Sequence, residues 1–139
     1  MSFLLDTNVI SEGGKPRPDS GVMDWLASVD EEQLFLSVVS LAELRHGVER
    51  LEAGHRKSAL DIWLTDQLPG RFDSRLLPVD AGTADQWGRV VARAQAAGRP
   101  IGAMDAWLGA TAEQHQLTLV TRNLSDFEAT GVRLFNPWA

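Results

Sequence analysis

The chain of 139 residues is 44% hydrophobic, carries 13 Lys+Arg against 19 Asp+Glu for a net charge of −6, and has no cysteine. A chain this long amounts to one domain and hides roughly 68% of its unfolded surface, so folding needs no staple. The missing cysteines exclude thiolate zinc sites, thiol nucleophiles, iron–sulfur clusters and disulfides. The acidic balance argues against non-specific grip on a phosphate backbone.

Met1-Ser2-Phe3-Leu4-Leu5 reaches Asp6 too soon for a signal peptide or membrane span, so a soluble, cytoplasmic domain is expected. Phe3 to Leu5 reads as a buried strand, followed by a short helical stretch that Gly13-Gly14 ends. Val22, Trp25, Leu26 and Val29 recur at helical spacing, and Leu34 to Val38 is the second strand. A helix over residues 39–51 places Leu41, Leu44, Val48 and Leu51 on one face. A further helix carries Leu60, Trp63, Leu64 and Leu68 and is expected to stop before Pro69-Gly70. Leu76 to Val79 is the third strand, with Asp80 as N-cap of a helix that ends near Gly98. Another helix holds Asp105, Trp107, Leu108 and Ala112; Leu117 to Val120 and Val132 to Phe135 complete the strands. Short apolar strands alternating with helices predict an α/β protein with a largely parallel sheet, and no linker divides the chain.

Ligands of an open α/β sheet bind at the carboxyl ends of its strands. Asp6 ends the first strand, and the polar run Thr121-Arg122-Asn123-Leu124-Ser125-Asp126 follows the fourth. Glu43 and Asp105 stand near the starts of two helices. Each acid has a plainer alternative. Asp6 could be a turn residue, Ser40-x-x-Glu43 a capping box, Asp105 a complement to the helix dipole, and Asn123-x-x-Asp126 a local cap. Asp80 and Asp85 read as the cap and exposed face of one helix, and Asp30-Glu31-Glu32 as a solvated loop. Jointly, four converging carboxylates repel one another and raise their own pKa values unless a cation is bound. Mg²⁺ or Mn²⁺, with hard oxygen ligands, suits such a set, and phosphodiester hydrolysis is the matching reaction. The three histidines share no ligand spacing and read as surface or helix-end residues. Eleven of the 13 cations are arginines, whose planar fork suits phosphate, and Arg45, Arg50 and Arg122 are the candidates to meet it. Arg45 has the alternative of an i,i+4 pair with Glu49.

Four segments in order resemble the PIN domains, and more narrowly the VapC and FitB toxins of bacterial type II toxin–antitoxin pairs. They are Leu5-Asp6-Thr7-Asn8-Val9-Ile10, Ser37-Val38-Val39-Ser40-Leu41-Ala42-Glu43, Pro100-Ile101-Gly102-Ala103-Met104-Asp105 and Thr121-Arg122-Asn123-Leu124-Ser125-Asp126. The resemblance implies a PIN-like three-layer α/β/α fold with a five-stranded parallel sheet in order 3-2-1-4-5. It implies a Mg²⁺- or Mn²⁺-dependent endoribonuclease whose acidic cluster is Asp6, Glu43, Asp105 and Asp126, with Thr7, Asn8, Thr121 and Asn123 in support. It also implies RNA as what Arg45, Arg50 and Arg122 would contact, and a homodimer neutralised by a VapB-like antitoxin. The competing expectation is a catalytically silent PIN module that binds metal or RNA and acts through protein contacts. An aspartyl phosphatase is disfavoured, because Asn8 stands where its second Asp is needed and both lysines, Lys15 and Lys57, lie elsewhere.

Overall fold

Each apolar run forms a strand in the computed structural model, which describes residues 1–139. In chain order the elements are β1 (Phe3–Leu5), α1 (Thr7–Glu12), α2 (Ser20–Ser28), β2 (Leu34–Ser37), α3 (Val38–Glu49) and α4 (His55–Ile62). After these come α5 (Leu68–Phe72), β3 (Leu76–Leu77), α6 (Ala81–Ala96), α7 (Ala103–Gln114), β4 (Thr118–Val120), α8 (Leu124–Phe127) and β5 (Leu134–Phe135). All pairings are parallel, and the sheet order is β3-β2-β1-β4-β5, as the resemblance implied.

Leu4 and Leu5 are consecutive and both fully buried, because neighbouring strand side chains point to opposite faces. Leu5 packs in a cluster with Val9, Val22, Leu36, Val48 and Phe72, and Leu4 in a second with Val39, Leu108, Leu119 and Phe127. Two-sided burial is what helices on both faces of a parallel sheet demand. The chain builds outward from β1 to β2 and β3, then returns to lay β4 on the other side of β1. The order therefore reverses between β1 and β4.

Several elements differ from expectation. β3 stops at Leu77, since Pro78 has no N–H for the ladder, and β2 ends at Ser37 because Val38 already starts α3. β5 covers only Leu134–Phe135 at the sheet edge. Pro69-Gly70 does not end its helix. A π-helical turn over Trp63–Gln67 leads into α5, where Pro69 sits in the first turn and its missing N–H costs nothing. Glu31 lies in a short 3₁₀ turn (Glu31–Gln33) rather than a free loop, and accepts from Arg71 Nε at 2.6 Å. Asp80 caps α6 as expected, through a capping box with Thr83, and Asp85 pairs on the exposed face with Arg89.

The last residues are docked on the start of α2. A Cβ on Gly21 would come within 2.6 Å of backbone atoms of Pro137 and Ala139, so only glycine admits this approach. The Ala139 N–H donates to the Asp19 carboxylate at 3.0 Å. No helix is long and apolar enough to cross a membrane.

Candidate active site

Asp6 leaves β1 at the point where the strand order reverses, and its N–H donates to Val120 O of β4 at 2.9 Å. It is the N-cap of α1 and only 6% exposed. One carboxylate oxygen accepts from the Thr7 N–H at 2.6 Å, the other from Thr121 Oγ1 at 2.8 Å. Thr121 Oγ1 in turn accepts from the Asn123 N–H at 3.0 Å. The loop after β4 is thereby tied to the end of β1 by one buried hydroxyl.

Ser37, not Ser40, caps α3; its hydroxyl accepts from the Val39 N–H at 3.0 Å. No capping box forms at Glu43, whose carboxylate instead accepts from Thr7 Oγ1 at 3.1 Å. Thr7 thus serves Asp6 with its backbone and Glu43 with its side chain. Asp105 stands in the first turn of α7, where its charge also meets the positive end of the helix. Asp126, exposed, lies in α8, with its N–H bonded to Asn123 O at 3.1 Å. Asn123 makes no side-chain cap.

The charges of three of these acids bear on the fourth. Burial pushes the Asp105 carboxyl up to about 6, and the charges of Asp6, Asp126 and Glu43 add to the rise. Glu43 is raised by burial and by Asp6, against the Thr7 hydrogen bond. Asp6 is raised by burial, opposed by its bonds from Thr121 and Thr7 and helped by the charge of Asp126. A cleft of about 400 Å³ opens at Asp105 and Asp126, with Arg99 and Ser125 also in its wall. Arg99 escaped the sequence reading; the only sign of it was a loop bounded by Gly98 and Pro100.

The donor set consists of carboxylate oxygens. No three acids close into a group that could hold a metal ion by themselves. An open set of mutually repelling carboxylates fits a hard cation that keeps several waters, as Mg²⁺ does, and does not fit a caged one. The Asn8 side-chain oxygen, in the first turn of α1, is buried without a donor, and such an acceptor costs free energy until a ligand or water reaches it.

The candidate arginines separate. Arg45 is committed to Asp61 (2.7 Å), Glu49 (3.3 Å) and Thr65 (3.0 Å), in keeping with the ion-pair alternative. Arg50 follows α3 as its exposed C-cap. Arg122, next to Thr121, lies over the Trp138 ring at 5.5 Å.

Residues 3–132 match the PIN domain. The chain belongs to the PIN-domain family. This PIN domain is 42% identical over 136 residues to the toxin FitB of Neisseria gonorrhoeae, covering 98% of both chains. It is 37% identical to the VapC ribonuclease Y4jK of Sinorhizobium fredii, covering 98% of this chain and 97% of that one. The crystal structure of FitAcB from Neisseria gonorrhoeae superposes with a TM-score of 0.93 at 41% identity, covering 98% of each chain.

The cluster sets an unusual pH dependence. A raised carboxyl pKa contributes stability that is complete below the unfolded value, 3.8 for Asp105, and lost as pH rises through about 6. The lowered acids Glu12, Asp19, Glu31 and Asp80 act oppositely, losing their contribution only on acidification toward and below about pH 4. Metal-free protein is therefore expected to gain stability between pH 7 and 5. The Asp105→Asn variant should flatten that gain and be more stable at pH 7 by about 1 kcal/mol, after discounting for solvent screening of a half-buried group. Denaturant melts at the two pH values measure both quantities, and a wild type that loses stability over this interval contradicts the expectation.

Proposed function

We propose that this chain is the toxin of a type II toxin–antitoxin pair, a Mg²⁺- or Mn²⁺-dependent endoribonuclease of the VapC/FitB kind. The supporting observation is that Thr7 joins Asp6 and Glu43 at the end of β1 while Asp105 and Asp126 line one cleft, with the charges of Asp6, Asp126 and Glu43 bearing on Asp105. Similarity to a named toxin and a named ribonuclease over almost the whole chain points the same way.

On this reading Asp6, Glu43, Asp105 and Asp126 hold the divalent cation. The bound cation would activate water and offset charge on the phosphoryl oxygens. The chain's own part is orientation. The Thr7 N–H and Thr121 hydroxyl aim the two oxygens of Asp6, and the Thr7 hydroxyl holds Glu43. The Asn123 N–H keeps the Thr121 hydroxyl in place. Arg122, braced on Trp138, is the best placed of the three candidate arginines to meet RNA. Hydrolysis adds water across the P–O3′ bond, leaving a 5′-phosphate and a 3′-hydroxyl. The protein acts in the cytoplasm as a homodimer, held inactive by a VapB-like antitoxin.

The test incubates antitoxin-free protein with structured RNA pools in Mg²⁺, Mn²⁺ or EDTA and sequences the new 5′ ends. Discrete cuts that depend on metal and disappear in EDTA are expected. Intact RNA in both metals, from a folded protein, would leave the silent module standing instead.

A further inference from the structure

The protein is acidic overall, so any RNA it holds must be met by individual cations at the cleft rather than by a basic surface. Arg99 is the one cation in the cleft wall that also carries Asp105 and Asp126.

Its place is rigidly set. Gly98 turns left-handed at φ +70° after the last turn of α6, a conformation glycine adopts without steric cost. The Gly98 N–H then donates to Gln95 O and the Arg99 N–H to Ala94 O, each at 3.0 Å. This paired closure stops the helix and holds the Arg99 backbone, and Pro100 restricts it further to an extended conformation.

The side chain is braced but not used up. One terminal nitrogen donates to Ser125 O at 2.6 Å and the other to Glu128 Oε2 at 3.3 Å. Both partners flank Asp126 in the chain. A guanidinium has five N–H donors, so most of its capacity remains for a ligand. No ion pair joins Arg99 to Asp105 or Asp126; its carboxylate partner is Glu128 alone, in an exposed pair. An exposed pair of this kind is weak and readily shared. Arg99 therefore shares the wall with the acids without neutralising them. That arrangement suits an anion bound between the guanidinium and whatever offsets the carboxylates.

We propose that Arg99 is a phosphate-binding residue of the cleft, gripping a backbone phosphate of the RNA beside the reacting acids. This rests on the ribonuclease reading above. Fluorescence anisotropy of a labelled 20-nucleotide single-stranded RNA against full-length protein tests it by binding alone. All variants are made in an Asp6→Asn background in Mg²⁺, so that RNA stays intact. Adding Arg99→Gln should weaken binding about tenfold, the scale of one charge-assisted contact. It should also reduce the slope of log affinity against log salt by about 0.7, one phosphate's worth on a single strand. Arg99→Lys should restore part of the salt slope. Glu128→Gln, which removes the brace but keeps the cation, should leave binding unchanged or tighter. Unchanged affinity and slope in Arg99→Gln overturn the proposal alone, whereas a parent protein that binds no RNA overturns the ribonuclease reading with it. Equal losses in Glu128→Gln and Arg99→Gln would make Arg99 a loop brace and also overturn the proposal.

Discussion

Replacing Asp6 with Asn is expected to reduce RNA cleavage by about 10³-fold, the scale on which a group acting in the transition state is missed. The fold should survive the change. Asn keeps the shape, its oxygen can still accept from the Thr7 N–H, and its NH₂ can donate to Thr121 Oγ1, which has a lone pair left after the Asn123 N–H. Removing a buried carboxylate whose pKa is raised should also relieve repulsion, so the variant is expected to melt no lower than wild type at pH 7 in the absence of metal. The two readouts separate chemistry from folding. A folded Asp6→Asn protein that cleaves at more than a tenth of the wild-type rate would remove Asp6 from the centre of the site.

The largest expected effect on stability comes from Phe127→Ala. Phe127 is 1% exposed and packs with Leu4, Leu108 and Leu119 on one face of the sheet. Truncating it loses the transfer free energy of the ring and leaves a cavity, about 3–5 kcal/mol together. That is a large part of the roughly 5–15 kcal/mol by which a domain is stable. The consequence for function follows from chain order, since Phe127 is the anchor of the four-residue helix α8 that carries Asp126. Thermal unfolding should shift down by about 10 °C or more. Cleavage measured well below the new midpoint should fall as well, because Asp126 loses its support. A shift of only a degree or two would mean that the second core cluster closes over the gap, and that α8 is held by other contacts.

Much of this architecture follows from local pattern. Largely apolar runs such as Phe3-Leu4-Leu5 and Leu117-Thr118-Leu119-Val120 signal strands buried on both faces, and Asp80 marks a helix start that forms as expected. The errors also have local causes. Pro78 ended β3 early, and the π-helical turn at Trp63–Gln67 moved Pro69 into a first turn, where it no longer breaks a helix. The choice between Ser37 and Ser40 as cap of α3 depended on where β2 ended, which periodicity places only loosely. That choice decides whether Glu43 is spent on capping or stands free beside Thr7.

The sequence by itself determined the alternation of strands and helices, the four acid-bearing segments and their order along the chain, because these rest on residue type and spacing over a few positions. Only the tertiary structure decided that Thr121 holds Asp6 across 115 positions of sequence, that Arg45 is absorbed by Asp61, and that Arg99 joins Asp105 and Asp126 in one cleft. The Arg45–Asp61 pair comes from the packing of α3 against α4, and the Thr121–Asp6 bond from the crossover that lays β4 against β1. Side-chain partnership across a parallel sheet depends on strand order and register, which no stretch of local pattern encodes.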